Sequence, residues 1–112
     1  MESTRQSKIS RLLQKDLSEI FQMESRNLFQ GKMISVTRVR ISPDLGLAKV
    51  YLSIFPSDQA ESVLKEVKIQ TKNLRRLLGN RVGKQLRVVP ALSFYVDDSL
   101  DYIANIDSLL EN

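Results

Sequence analysis

The chain has 112 residues, of which 42% are hydrophobic and 27% charged, with a net charge of +4. These values fit one globular domain that buries about two thirds of the surface of its unfolded chain, and they exclude a disordered polypeptide. The chain has no cysteine and no histidine, which excludes disulfides, thiolate metal sites and any nucleophilic triad with histidine as its base.

No run approaches the roughly eighteen apolar residues a membrane span requires. The polar opening MESTRQSKIS leads directly into a helical pattern and predicts no secretory signal, so the expected compartment is the cytoplasm. In the first helix Ile9, Leu12, Leu13, Leu17, Ile20 and Phe21 recur at three- and four-residue intervals, one helical face, with Ser3 or Thr4 as the N-cap. Lys8, Arg11, Lys15 and Glu19 lie outside that stripe.

Two strands follow at 34–42 and 47–55, joined by Pro43-Asp44-Leu45-Gly46. Ile34 and Val36 are out of phase with Val39 and Ile41, which predicts a bulge near Thr37 and Arg38. Ala48, Val50, Leu52 and Ile54 alternate with Lys49, Tyr51 and Ser53, a half-buried strand. Proline opening the turn and Gly46 taking a positive φ predict an antiparallel hairpin.

Pro56 ends the second strand, and Asp58 with Glu61 resembles a capping box for the next helix. Ala60, Val63, Leu64, Val67, Leu74, Leu77 and Leu78 keep a helical period for about five turns. Gly79 and Asn80 provide the stop, and Ile69 falls on the wrong side of the wheel. A helix of that length with a misplaced isoleucine predicts a break in its middle, with Thr71, Lys72 and Asn73 the weakest stretch, where Thr and Asn are weak helix formers and Asn tolerates the left-handed region. A third strand is expected from about Gln85 to Tyr95, at a sheet edge or bulged because Pro90 interrupts it. Leu86, Val88, Leu92, Phe94 and Val96 would share one of its faces. Leu100, Ile103, Ile106 and Leu110 then space a short amphipathic helix. The division is a domain over 1–96 and an acidic tail over 97–112.

The net charge conceals an asymmetry. Residues 1–96 hold seventeen bases against eight acids, whereas 97–112 holds five acids and no base. Between Lys65 and Arg87 stand Lys65, Lys68, Lys72, Arg75, Arg76, Arg81, Lys84 and Arg87 with Glu66 as the lone acid. The first five fall within an arc of about 100° on a helical wheel. The plain alternative is a solvated face, but such a face normally interleaves Glu with Lys at four-residue spacing. This one largely does not, and the field points to a polyanion whose phosphates can follow the line.

Aromatics add little: Tyr51, Tyr95 and Tyr102 are free to stack if exposed, whereas Phe21, Phe29, Phe55 and Phe94 are expected in the core. Arg38, Arg40 and Lys49 form a second basic patch on the exposed sheet or are simply solvated. The glycines are scattered at turns and form no phosphate loop. Asp97-Asp98 is the one carboxylate pair, and a helix cap explains it more economically than a magnesium site.

The order helix-strand-strand-helix-helix-strand with a basic second half resembles an α+β RNA-binding fold, the type II K-homology (KH) fold with a three-stranded sheet. Ile34 to Val39, Ser42-Pro43-Asp44-Leu45 leading to Ala48-Lys49-Val50-Tyr51, and Leu74-Arg75-Arg76-Leu77-Leu78-Gly79 are similar to the ribosome-binding factor A family. So are Leu86 to Phe94, the following Asp97-Asp98-Ser99, and the opening Arg5 to Leu17, so the likeness covers essentially the whole chain. The resemblance implies a non-catalytic factor for late maturation of the small ribosomal subunit and processing of its rRNA precursor. Such a factor binds free small subunits but not assembled ribosomes and supports growth in the cold. It implies as partners the small subunit, its rRNA and assembly GTPases, with no membrane, no cofactor and no metal, for a monomer. The family carries an Ala-x-Gly kink between the central helices; here that place holds Gln70-Thr71-Lys72, with neither residue.

The expected function is therefore an RNA-binding assembly factor that docks the eight bases on rRNA phosphates. Reversal of Lys72, Arg75 and Arg76 to Glu is expected to abolish binding with the fold intact. Rival readings use the same charges for nonspecific nucleic-acid binding or for an acidic protein partner.

Overall fold

The computed structural model describes residues 4–97. Helix α1 spans Thr4–Phe29 and buries Ile9, Leu13, Leu17, Ile20 and Phe21 of the predicted stripe, while Leu12 is partly buried at its margin. Thr4 is inside the helix rather than at its cap, and Ser3 lies outside the described residues. The helix continues two turns beyond Phe21 to bury Phe29, then ends where Gln30 and Gly31 take positive φ of 54° and 77°. Two glutamines on its inner side satisfy strand carbonyls: Gln6 Nε2 donates to Ile41 O at 2.9 Å, and Gln14 Nε2 reaches Val36 O and Thr37 O at 3.4 Å.

Strands β1 (Met33–Ile41) and β2 (Leu47–Phe55) pair antiparallel, with the register slipping between Val36 and Arg38. Thr37 is the extra residue. The bulge restores the phase, so Ile34, Val36, Val39 and Ile41 are all buried. In the hairpin turn the positive φ belongs to Leu45, at 62°, and not to Gly46 as expected. Asp44 Oδ1 accepts from the Ser42 hydroxyl at 2.6 Å and from the Gly46 N–H at 3.0 Å, which shapes the turn around the aspartate. Leu45 packs on the core edge, and that burial offsets the roughly 1–2 kcal/mol that a left-handed leucine costs.

The predicted capping box does not form. Asp58 lies inside a 3₁₀ turn, Ser57–Gln59, which delays helix α2 (Ala60–Ile69), and neither Pro56 nor Gln59 makes a side-chain cap bond. Helix α3 (Thr71–Val82) runs through Gly79 and Asn80, the expected stop. The roughly 1 kcal/mol cost of a helical glycine is outweighed by full burial of Leu78 and Val82, each worth about 1.5–3 kcal/mol.

Strand β3 is shorter than expected, Ala91–Val96, and pairs parallel with β2 at one edge of a sheet ordered β1-β2-β3. Residues 85–90 are bound to α3 instead of extending the ladder. The N–H groups of Gln85 and Leu86 donate to Val82 O, Pro90 has none to give, and Val88 is 71% exposed.

Leu92 and Phe94 join β1, β2 and the inner sides of all three helices in one core, with Phe21 5.6 Å from Phe29 and 6.0 Å from Phe94 between ring centroids. Phe55, expected in that core, is 68% exposed. It takes the outward phase of its strand at the end of the sheet. This is the α+β, type II KH arrangement, with helices on one face and, among the described residues, the other face open. Asp97 adds one rung, its N–H donating to Leu52 O at 2.8 Å. The tail expected to form a helix, with Tyr102, lies outside the described residues.

Candidate nucleic-acid interface

All eight predicted bases are exposed, but they do not form one line. Lys65 and Lys68 are exposed on α2, and Lys72, Arg75 and Arg76 are exposed on the first turns of α3. One residue, Gln70, separates the helices, with φ −87° and ψ 5°. The break therefore falls within the predicted segment, but Thr71, Lys72 and Asn73 are helical and none takes a left-handed conformation. Side chains close the junction: the Thr71 hydroxyl donates to Val67 O at 3.3 Å, and Asn73 Nδ2 to Gln70 Oε1 at 3.4 Å. Arg76 Nη2 donates to Asn73 Oδ1 at 2.7 Å, which directs the guanidinium along the surface.

A groove of about 690 Å³ opens beside the junction, lined by Ile69, Lys72, Asn73, Arg75, Arg76 and Val89. Ile69, the residue out of phase on the wheel, is 78% exposed and forms part of its wall. That phase error was the sequence signal for the groove. Cations around an apolar wall suit a polyanion that also carries flat apolar groups, as RNA does.

Arg75 has a second duty. Its Nη2 donates to Val89 O at 2.6 Å and its Nε to Pro90 O at 3.2 Å, so the guanidinium forks onto two consecutive carbonyls and ties the approach to β3 onto α3. Reversing it would remove donors from both, so the triple reversal through Arg75 is expected to lower fold stability as well as charge.

Arg81 turns away from the groove. It pairs with Asp16 at 3.1 Å and with Glu19, both on α1, and these are the two ion pairs among the described residues. Lys84 follows α3 in the turn, and Arg87 lies with Arg5 around a separate cavity of about 350 Å³ at the hairpin end of the sheet. Of the eight bases the structure brings three, Lys72, Arg75 and Arg76, to the groove, with Lys65 and Lys68 exposed on the preceding helix.

A protein-family model for ribosome-binding factor A matches residues 5–110. The chain belongs to this family. It is similar to ribosome-binding factor A of Cytophaga hutchinsonii, with 50% identity over 98% of this chain and 83% of the relative. Among solved structures, it is similar to the crystal structure of ribosome-binding factor A from Thermus thermophilus, with 27% identity over 81% of this chain and 94% of the other, at a TM-score of 0.66. It is also similar to a Thermus thermophilus homology model of the factor fitted into a cryo-EM map of a 30S–RbfA complex. There the TM-score is 0.62 with 27% identity, over 80% of this chain and 91% of the other.

Among the described residues, no helix is long and apolar enough to cross a membrane, and no group of three His, Cys, Asp or Glu is placed to hold a metal ion.

Proposed function

We propose that this protein is a non-catalytic assembly factor that binds the free small ribosomal subunit, not the assembled ribosome, during late maturation and rRNA precursor processing. Its place of action would be the cytoplasm, as a monomer working alongside assembly GTPases and supporting growth in the cold. The observation that carries the reading is the α2–α3 surface, five exposed cations of which Lys72, Arg75 and Arg76 line one groove with Ile69 and Val89, in a chain of the ribosome-binding factor A family. The Thermus protein fitted into a 30S complex supports the choice of subunit.

In this mechanism Lys65, Lys68, Lys72 and Arg76 engage rRNA phosphates and release their counterions. Arg75 holds the groove wall in shape while adding its charge. By binding an immature rRNA conformation better than the mature one, the protein shifts the folding equilibrium of the subunit, and its release follows maturation. Sedimentation of the tagged protein in a bacterial lysate, at fixed magnesium and salt, tests the reading. Co-migration with free small subunits and absence from assembled ribosomes is the expected result. Migration at the top of the gradient at low salt would refute it.

A further inference from the structure

The face of the sheet opposite the helices has no part in the reading above. Its central row crosses all three strands in register, Arg38 opposite Tyr51 and Tyr51 opposite Tyr95. The Arg38 guanidinium carbon lies 5.0 Å from the Tyr51 ring centroid. The two tyrosine rings are stacked, 5.5 Å apart with 27° between their planes. Tyr95 is 40% exposed and sits on β3, the edge strand among the described residues. Its hydroxyl and Ser93 Oγ are 3.0 Å apart, which leans the ring along the strand.

The next row is Arg40, Lys49 and Ser93, about 6.7 Å away at two residues of strand rise. At the other end of the face Met33 and Phe55, partners in the register, are both largely exposed. The outward positions of β1, β2 and β3 hold Arg38, Arg40 and Lys49 and no acid. Asp97, just past β3, accepts from the Thr37 hydroxyl at 2.5 Å.

An aromatic row capped by arginine, open at one edge and flanked by cations, offers what an unpaired nucleotide needs: a ring face for the base and positive charge for its phosphates. A duplex hides its base faces and cannot use the row. A second copy of this chain would bring like charge against like. We propose that the open sheet face is a second RNA-contacting surface, where an unpaired base stacks on the Tyr51–Tyr95 row and Arg40 and Lys49 hold the adjoining phosphates. The surface goes beyond the α2–α3 reading; only the choice of RNA over DNA rests on the family.

The full chain carrying Tyr102→Phe tests it, because with no tryptophan its emission then comes from Tyr51 and Tyr95 alone. The probes are a labelled RNA oligomer of about ten nucleotides without self-complementarity, and a blunt RNA duplex at the same salt. Saturation with the oligomer is expected to quench the tyrosine emission. Tyr51→Leu with Tyr95→Leu is expected to weaken oligomer binding about tenfold and to leave duplex binding within about twofold.

Reversal of Lys65, Lys68 and Lys72 to Glu separates the two surfaces. It should remove duplex binding and retain the quench at saturating oligomer. Unchanged emission at saturation, or equal oligomer affinity in the tyrosine variant, would overturn the proposal and leave the α2–α3 reading standing. Should circular dichroism show the tyrosine variant unfolded, Arg38→Gln, Arg40→Gln and Lys49→Gln replace it, all at exposed positions. A fall of about 1–2 in the salt slope of oligomer binding is then expected, and an unchanged slope overturns the proposal.

Discussion

The α2–α3 surface and the open sheet face carry similar charge on different backbones, and the difference separates what each can read. On the helices, Lys65 and Lys68 are exposed on α2, and Lys72 lines a groove whose apolar wall is Ile69 and Val89. Such a surface follows phosphates and shape. On the sheet, register sets Arg38 against one tyrosine and that tyrosine against another, with fixed spacing to the next cations. That surface discriminates between paired and unpaired bases. Charge density alone does not distinguish them, whereas the groups held beside the charges do.

The largest effect should come from the helical side. Lys65→Glu, Lys68→Glu and Lys72→Glu together are expected to weaken small-subunit binding by about a thousandfold near physiological salt, read by sedimentation or anisotropy. The Gln versions should lower the salt slope by about one for each phosphate left without its lysine. Retained binding by the folded reversal variant would assign the subunit-binding role to the sheet face and invert the comparison. Arg75→Glu should behave differently from its neighbours. It is expected to lower unfolding stability by about 2 kcal/mol in urea titration, since Val89 O and Pro90 O lose a charged donor. Lys72→Glu should stay within about 0.5 kcal/mol of the parent.

Features governed by local period were legible in the sequence. The α1 stripe, the alternation of β2 and the phase slip at Thr37 each follow from spacing, and each appears where spacing puts it. Features decided by distant partners were not. Residues 85–90 read as strand because their composition is apolar and β-branched, yet the Arg75 fork and the Val82 carbonyl claim that backbone. The positive φ moved from Gly46 to Leu45 because the Asp44 carboxylate organises the turn and Leu45 finds the core. At the candidate site, the charges of residues 65–76 were readable, and so was the anomaly of Ile69. The direction of Arg81 was not, because Asp16 and Glu19 lie more than sixty residues away in sequence. Nor was the tyrosine row, which exists only once the register of two strand pairs is known.

Arg81 supplies a smaller test of the same contrast. Its guanidinium links α3 to α1 at the partly exposed Asp16 and Glu19, so Arg81→Gln is expected to cost about 0.5 kcal/mol in stability. RNA affinity should remain within about twofold, because the two acids already offset its charge. A loss comparable to that of a single lysine in the 65–72 cluster would return Arg81 to the RNA face and extend that face onto α1.

The smallest expected effect lies in the hairpin turn, away from both surfaces. The Asp44 carboxyl is held below its ordinary value, first by the Ser42 hydroxyl and then by the Gly46 N–H, both donating to Oδ1. A carboxylate whose folded-state value is depressed contributes stability above its unfolded value and loses it as pH falls through the lowered one. The stability gap between the parent chain and Asp44→Asn should therefore be constant near neutrality and close only at acidic pH, below the ordinary carboxylate range. Urea titrations of both chains across that range measure it. RNA binding by Asp44→Asn should match the parent at neutral pH, since neither the helical groove nor the tyrosine row includes the turn. A gap that failed to close would mean the aspartate shapes Leu45 and Gly46 by geometry rather than by charge.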